Sequence, residues 1–429
     1  MSEAKIRKSK SISLLKKEEM KFKEEITIEN VLGEKYKIRT IQPLNDGEAA
    51  LTHYLHNSEN PESKFFKTEA LNQIKKFLEK KEPDNYISKE VAEDALQGLL
   101  IDFENTVPFK APEKPSFKFI DLFAGIGGFR LALQNLGGKC VFTSEWDEHA
   151  KKTYSANFGD VPFGDITKRI TKDFIPDDFD ILCGGFPCQA FSIAGYQKGF
   201  EDSRGNLFFD IEKIARKHRP KVLFLENVKN LRSHDKTRTF GKIKEMLIDL
   251  QYEVYDEVLN SMTHANIPQN RERIFIVAVN KALVPNWRGF RFPEPIPLTR
   301  SIHDIIQNDQ MDPKYYYHPE HQYFQQLDET MNNNDTIYQW RRVYVRENKS
   351  NVCPTLTANM GAGGHNVPII RDNFGIRKLT PEECFGFQGY PIDTYILPNI
   401  ANSHLYKQAG NSVTVPLIQR IGERILDIL

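Results

Sequence analysis

Cys188 stands in the stretch Gly184-Gly185-Phe186-Pro187-Cys188-Gln189-Ala190-Phe191-Ser192, directly after the apolar run Phe179-Asp180-Ile181-Leu182-Cys183. That run has the length of a buried parallel strand. A strand ending in Gly-Gly and Pro delivers a thiol to the carboxyl edge of a sheet, where open α/β sheets bind ligands. A thiol held there suits nucleophilic, covalent chemistry. Free cysteines are commonly small buried hydrophobes, but a polar, Gly-rich loop argues against that for Cys188.

Other residues share the pattern of a reactive group at a strand end. Leu223-Phe224-Leu225-Glu226-Asn227-Val228 sets a carboxylate at the end of an apolar strand, where partial burial would raise its pKa and let it hold or give a proton near neutrality. In Pro268-Gln269-Asn270-Arg271-Glu272-Arg273, strand alternation sends Arg271 and Arg273 to one face, where two guanidinium groups suit a phosphate or a carboxylate. Asp121-Leu122-Phe123-Ala124-Gly125-Ile126-Gly127-Gly128 is a Gly-rich strand-to-helix turn that lets backbone approach a cofactor. Glu145 follows about 20 residues on, where an acid grips ribose hydroxyls. A nicotinamide cofactor fits this much, although Gly-x-Gly-Gly departs from Gly-x-Gly-x-x-Gly. Gly164-Asp165-Ile166 closes a third strand end that could meet an adenine edge; a lone Asp also serves as a turn residue.

These groups need a scaffold. Strands are predicted over 117–123, 140–146, 180–184, 222–226, 253–258 and 274–279, with helical stretches between them, which implies a parallel sheet covered on both faces. Hydrophobic residues make up 40% of the 429-residue chain, enough for a sizeable core and more than one domain. Residues 1–26 read as a solvated charged helix or a frayed tail, with a DNA-contacting arm as the alternative. Residues 27–110 hold a β-like piece at 36–41 and helices at 67–81 and 89–100, the latter with Val91, Ala95, Leu96 and Leu99 at helical spacing; they read as a small appended domain. Residues 107–115, rich in Pro and Lys, read as a linker.

No apolar run is long enough to cross a membrane, and the N-terminus lacks an apolar secretory segment. Cys140, Cys183, Cys188, Cys353 and Cys384 form no Cys-x-x-Cys pair, so neither a metal site nor a disulfide framework is expected, and the setting is cytoplasmic. With 58 basic and 58 acidic residues, any nucleic-acid affinity must come from a local basic surface.

The motifs together resemble the C5-cytosine-specific DNA methyltransferases of bacterial restriction–modification systems. The likeness rests on residues 119–128, Gly185-Phe186-Pro187-Cys188-Gln189, Glu226-Asn227-Val228, Gln269-x-Arg271-x-Arg273, Arg377-Lys378-Leu379-Thr380-Pro381-Glu382-Glu383-Cys384 and Gly410-Asn411-Ser412-Val413, in the family's order. It covers roughly residues 117–429.

The resemblance implies an S-adenosyl-L-methionine-dependent α/β fold: a Rossmann-like sheet, a smaller, mostly β target-recognition domain and an N-terminal extension. The expected divisions are 1–115 for the extension, 116–300 for the catalytic and cofactor-binding domain, 301–380 for target recognition and 381–429 for the hinge and the return to the catalytic domain. It implies catalytic roles for Cys188, Glu226, Arg271 and Arg273. It implies cofactor contacts from Phe123, Ala124, Gly125, Gly127, Glu145, Trp146, Asp165, Ile166, Pro187, Asn411, Ser412 and Val413, and a last helix, 415–429, lying beside the first strand. The loop 195–205 would be a flap over a flipped base.

Residues 336–371 carry five Lys or Arg against one acid, Glu347, interleaved with aromatics. Such a segment suits groove and phosphate contacts, with Arg342 and Arg346 toward DNA and Tyr344 in the core. Gln189, Ser192, Arg341, Arg342, Arg346, Thr357, Asn359 and Gly363 are the expected DNA contacts. The implied substrate is double-stranded DNA with a short GC-rich palindrome of GGNCC or GCNGC type, the protein a monomer, and the implied partner a cognate restriction endonuclease. Rival readings are a tRNA cytosine-5 methyltransferase, a catalytically idle DNA-binding protein and a nicotinamide oxidoreductase.

Overall fold

The structure is a computed structural model that describes residues 6–8, 25–29, 35–39, 46–58, 63–83, 86–102, 107–186, 207–341, 343–348, 350–362 and 366–429. Strands β1 (Ile6–Lys8), β2 (Glu25–Glu29) and β3 (Lys35–Arg39) form a small antiparallel sheet. The helix or tail expected over 1–26 is therefore wrong at Ile6–Lys8. That backbone pairs with β2, a partner that counting charges within one segment cannot reveal.

Helices α1 (Asp46–Asn57), α2 (Lys64–Lys81) and α3 (Lys89–Asp102) follow. Leu51, Leu55, Ala70, Ile74, Leu78, Ala95, Leu96 and Leu99 give them a common core at helical spacing. They are not merely appended. Ala49, Ala50 and Phe66 belong to the same buried cluster as Ile120 and Phe142 of the main sheet and Phe163 beside it.

The central unit runs β4 (Phe117–Leu122), α4 (Gly128–Asn135), β5 (Gly138–Ser144), α5 (Glu148–Phe158), α6 (Arg169–Asp173), β6 (Ile181–Gly185), α7 (Leu207–His218), β7 (Val222–Val228), α8 (Arg238–Asp249), β8 (Tyr252–Asn260), α9 (Ser261–His264), β9 (Gln269–Asn270) and β10 (Glu272–Asn280). Six strands form one sheet in the order β5-β4-β6-β7-β10-β8. Strands β4, β5, β6 and β7 pair in parallel with one another, whereas β10 is antiparallel to both β7 and β8. The expectation of a parallel sheet fails at this strand. The 261–271 link is too short for a crossover, which needs a dozen or so residues, so the chain can only turn back. The reversal brings the beginning of β10 to the edge where β4 to β7 end.

Strand alternation divides the core into two layers. Phe275, Val277 and Val279 face one cluster, which includes Phe119, Cys183 and Phe224; Ile274, Ile276 and Ala278 face the other, with Leu182, Leu223 and Leu225.

Beyond β10 lie α10 (Phe324–Thr330), β11 (Tyr338–Arg341), β12 (Tyr344–Glu347), β13 (Cys353–Pro354), β14 (Ile369–Asp372), β15 (Gly375–Lys378), α11 (Pro381–Gly386), α12 (Asn402–Asn411) and α13 (Val415–Leu426). A second sheet, β12-β11-β14-β15, closes over Leu327, Met331, Tyr338, Val345, Ile369 and Ile376. Strand β13 instead pairs with β9, and Thr355 Oγ1 donates to the Asn270 carbonyl at 2.6 Å, so this stretch is stitched to the larger sheet's side. The last helix lies against α4 rather than directly beside β4: a Cβ on Gly422 would come within 2.7 Å of Leu136. A sheet face is buried by covering helices, and α4 already follows β4, so α13 packs against it as its neighbour in the layer.

Candidate active site

The Gly-rich turn is built by necessity. Phe123, Gly125 and Gly127 all have positive φ, at 55°, 55° and 84°. A Cβ on Gly127 would lie 2.2 Å from the Phe158 ring, and one on Gly128 would lie 2.6 Å from Val413. At Gly127 only glycine permits both the conformation and the approach, and at Gly128 the approach alone requires it. The turn is closed by Gly127 N–H donating to the Ala124 carbonyl (2.8 Å) and tied to β5 by Ala124 N–H donating to the Ser144 carbonyl (3.0 Å).

Glu145 faces this turn from the end of β5. Its Oε2 accepts from Gly125 N–H at 2.7 Å and its Oε1 from Asp147 N–H at 2.8 Å. Burial raises its pKa, against these two amides. Each carboxylate oxygen holding one amide keeps a lone pair for a further donor. Trp146 is 77% exposed at the mouth, a large apolar ring without cover. Phe163 pairs its backbone with the end of β5, donating to the Thr143 carbonyl (2.9 Å) and accepting from Glu145 N–H (2.8 Å). That bridge places Gly164, Asp165 and Ile166 on the same wall; Asp165 Oδ1 also accepts from Thr167 N–H at 2.9 Å, a turn role.

Glu226 closes the opposite end. It is 8% exposed, and burial raises its pKa against the opposing pull of Arg273 and then Arg271. Arg273 Nε lies 3.0 Å from Glu226 Oε1. Arg271 is buried deeper, and burial lowers its pKa. Its guanidinium donates to the carbonyls of Leu356 (2.8 Å), Gly410 (3.1 Å) and Ser412 (2.5 Å). The two arginines therefore differ: Arg273 meets the acid, while Arg271 pins the β13 segment and the C-terminal return to β10.

Pro187, Cys188, Gln189 and Ser192 lie outside the described residues, as does the 195–205 loop. The root of their segment is defined. Phe186 is buried, and its carbonyl accepts from Asn227 Nδ2 at 2.7 Å, beside Glu226.

These walls enclose one cleft of about 980 Å³. Phe123, Ala124, Gly125, Glu145, Trp146, Asp165, Ile166, Glu226, Arg271, Arg273, Asn411, Ser412 and Val413 all line it. Gly127 does not; it shapes the turn from behind. Sequence reasoning missed Asn227 as an anchor, although it stands inside the Glu226-Asn227-Val228 motif. It also missed Lys407, whose Nζ bridges to Asp147 Oδ2 at 2.7 Å. Nothing in the sequence brings α12 to α5.

The expected DNA contacts are only partly gathered. Residues paired across β11 and β12 share a face, so Gln339, Arg341, Tyr344 and Arg346 lie together, Gln339 half-buried and the other three exposed, opposite buried Tyr338 and Val345. Tyr344 is 54% exposed, which corrects its expected place in the core; Val345, one residue on, takes the inward position. Thr357 and Asn359 are exposed on a short turn packed against α12, apart from that face: a Cβ on Gly361 would lie 2.3 Å from the Ser403 carbonyl. Arg342 and Gly363 lie outside the described residues.

A doubly wound sheet with one reversed strand, a Gly-rich turn and an acid at its carboxyl edge defines the class, an α/β methyltransferase domain. Solved structures with the same fold at low identity include a mutant DNMT2 of Spodoptera frugiperda, with TM-score 0.55, 18% identity and coverage of 72% of this chain and 100% of that one. Another is the Dnmt2 methyltransferase of S. pombe, with TM-score 0.54, 17% identity and coverage of 72% and 98%. Residues 117–427 match the family of C-5 cytosine-specific DNA methylases. The type II methyltransferase M.Bsp6I of Bacillus sp. (strain RFL6) is 51% identical over 71% of this chain and 96% of its own length. M.HpaII of Haemophilus parainfluenzae is 45% identical over 74% and 91%, and M.HhaI of Haemophilus parahaemolyticus 40% over 74% and 97%. The chain belongs to the C-5 cytosine-specific DNA methylases and is a DNA cytosine-5 methyltransferase. The tRNA, idle-binder and oxidoreductase readings are set aside. Among the described residues, no helix is long and apolar enough to cross a membrane.

Proposed function

We propose that the cleft binds S-adenosyl-L-methionine against β4 and β5 and a flipped cytosine against Glu226, with Cys188 as nucleophile. The observation that carries this reading is the Glu226–Arg273 pair, a desolvated acid beside the root of the Cys188 segment. The residues fit the cofactor: a turn without side-chain bulk, an acid with spare lone pairs and an uncovered indole suit sulfonium, ribose and adenine in turn. When bound, S-adenosyl-L-methionine supplies an electrophilic methyl group.

The protein's residues act as follows. Phe123, Ala124, Gly125 and Gly127 shape the cradle, and Glu145 accepts from the ribose hydroxyls. Trp146 covers the adenine, whose edge meets Asp165 and Ile166. Pro187, Asn411, Ser412 and Val413 close the far side. The Cys188 thiolate adds to C6 of cytosine and makes C5 enamine-like. Glu226, its pKa raised by burial, holds a proton toward N3 and contacts the exocyclic amine, stabilising the adduct. Arg273 reaches the base carbonyl, and Arg271 keeps the floor in place. Once C5 is methylated, loss of its proton and departure of Cys188 restore the ring. A stacked ring exposes neither face, so the cytosine leaves the duplex, and the 195–205 loop covers it.

Target reading falls to the Gln339–Arg346 face, with Arg341 and Arg346 suited to guanine edges, and to Arg342, Gln189, Ser192, Thr357, Asn359 and Gly363. The proposed site is a short palindrome of GGNCC or GCNGC type in double-stranded DNA. The enzyme works as a cytoplasmic monomer, protecting host DNA from a cognate restriction endonuclease. Base-resolution 5-methylcytosine mapping of plasmid from a methylation-deficient host tests this, with Cys188→Ala in parallel. One palindrome methylated only by the wild type is expected; methylation by the variant would overturn the mechanism.

A further inference from the structure

The family match begins at residue 117, yet α1 lies in contact with the cofactor wall. Three backbone amides of the catalytic domain donate to side chains of this one helix. Gly164 N–H donates to Asp46 Oδ1 (2.9 Å), Val161 N–H to Thr52 Oγ1 (3.0 Å) and Thr143 N–H to His53 Nε2 (3.2 Å). His53 is committed to this role. Its Nδ1 donates to the Ala49 carbonyl at 2.8 Å, which leaves Nε2 as the acceptor. Burial drops its pKa to about 4 and keeps the ring neutral.

Phe163 is buried against α1 and the neighbouring α2. That ring packs 4.8 Å from His53 and 6.0 Å from Phe66, and 5.1 Å from Phe142 on the sheet side. The Phe163 backbone carries Glu145 on one side and leads into Gly164, Asp165 and Ile166 on the other. Helix α1 therefore holds the 161–166 segment at Val161, at Gly164 and through the Phe163 ring. Gly164 is held closely: a Cβ there would lie 3.3 Å from Asp46 Oδ1.

We infer that the N-terminal extension is part of the cofactor site, and that Asp46 is a positioning residue that sets Asp165 and Ile166 for the adenine edge. The inference rests on the reading of Asp165 and Ile166 given under Proposed function. Without the Asp46 carboxylate, the Gly164 amide would find water and the 164–166 turn would sample positions that bind adenine less well. Asp46→Asn keeps an acceptor oxygen and restores the bond.

The test is calorimetric titration of the full chain with S-adenosylhomocysteine, below the melting temperature of every variant. Asp46→Ala is expected to raise Kd at least threefold, Thr52→Val to do the same, and Asp46→Asn to stay within twofold of wild type. In steady state, KM for the methyl donor should rise by a larger factor than kcat falls. A Kd for Asp46→Ala within threefold of wild type overturns the inference, as does a fall in kcat at unchanged KM. Asp165→Ala separates the two readings. If it weakens binding while Asp46→Ala does not, only the role of α1 falls; if it binds like wild type, the site assignment itself falls.

Discussion

Arg273 and Glu226 meet at 3.0 Å as diagonal neighbours on adjacent antiparallel strands. Glu226 stands opposite Phe275, so Arg273, two residues earlier, shares its face and reaches back to it. The pairing exists only because β10 runs against β7. A parallel strand would have brought the far end of β10 to this edge. The guanidinium offsets part of the burial that raises the Glu226 pKa, which leaves an acid able to share a proton with a base.

Glu226→Gln keeps the side-chain volume and removes the charge and the transferable proton. Single-turnover methylation should slow by roughly 10²–10³-fold, the scale of one lost proton-transfer or charge-stabilising group. Binding of S-adenosylhomocysteine should stay within twofold. A near wild-type rate would take the acid role from Glu226.

Cys188→Ala should abolish methyl transfer while retaining cofactor affinity, since the thiol belongs to the covalent step. Residual turnover above the uncatalysed level, measured with labelled methyl donor, would exclude the thiol adduct.

Gly127→Ala places a methyl 2.2 Å from the Phe158 ring at a φ of 84°. Left-handed strain and overpacking together should cost about 2–4 kcal/mol in urea unfolding. Cofactor affinity should fall with it, because the turn must open to relieve the clash.

Arg346→Ala removes an exposed cation from the Gln339–Arg346 face without touching the core. Duplex affinity should fall roughly tenfold, within the range for one base or phosphate contact. Titrations at several salt concentrations, on cognate and shuffled duplexes, read the effect; unchanged affinity on both would move the interface elsewhere.

His53 gives a pH signature. Its pKa falls from 6.5 to about 4 on folding, so the unfolded chain takes up a proton that the native state refuses. Its contribution is intact above pH 6.5 and is lost as pH falls toward 4, by about 3 kcal/mol in all. Asp121 pushes the other way. Burial raises its carboxyl to about 8, so its contribution is present below 3.8 and is lost as pH rises toward 8. The difference between wild type and His53→Gln across pH 4–6.5 therefore isolates the histidine. A pH-independent difference would contradict a neutral buried ring.

Much of this enzyme was legible in its sequence because the information was local. Period-two and helical patterning located all six strands of the main sheet and helices α2 and α3. The Gly-rich turn, Glu145 and Glu226 each sit at the end of an apolar run, and a run's end is readable without knowing its neighbours. Glycine at 127 is needed partly for backbone conformation, which is also local.

The tertiary structure decided what depends on chain segments meeting. It reversed β10, so that Arg273 faces Glu226. It separated Arg271, bonded to three carbonyls from Leu356, Gly410 and Ser412, from its neighbour two residues on. It turned Tyr344 outward and Val345 inward, a one-residue register choice that flips every side chain of a strand. Above all, it set α1 against Phe163 and Gly164. The amides of Thr143, Val161 and Gly164 lie 90, 109 and 118 residues along the chain from the α1 side chains that accept from them. No pattern within a single segment encodes that distance; only the shared burial of two segments in one core does.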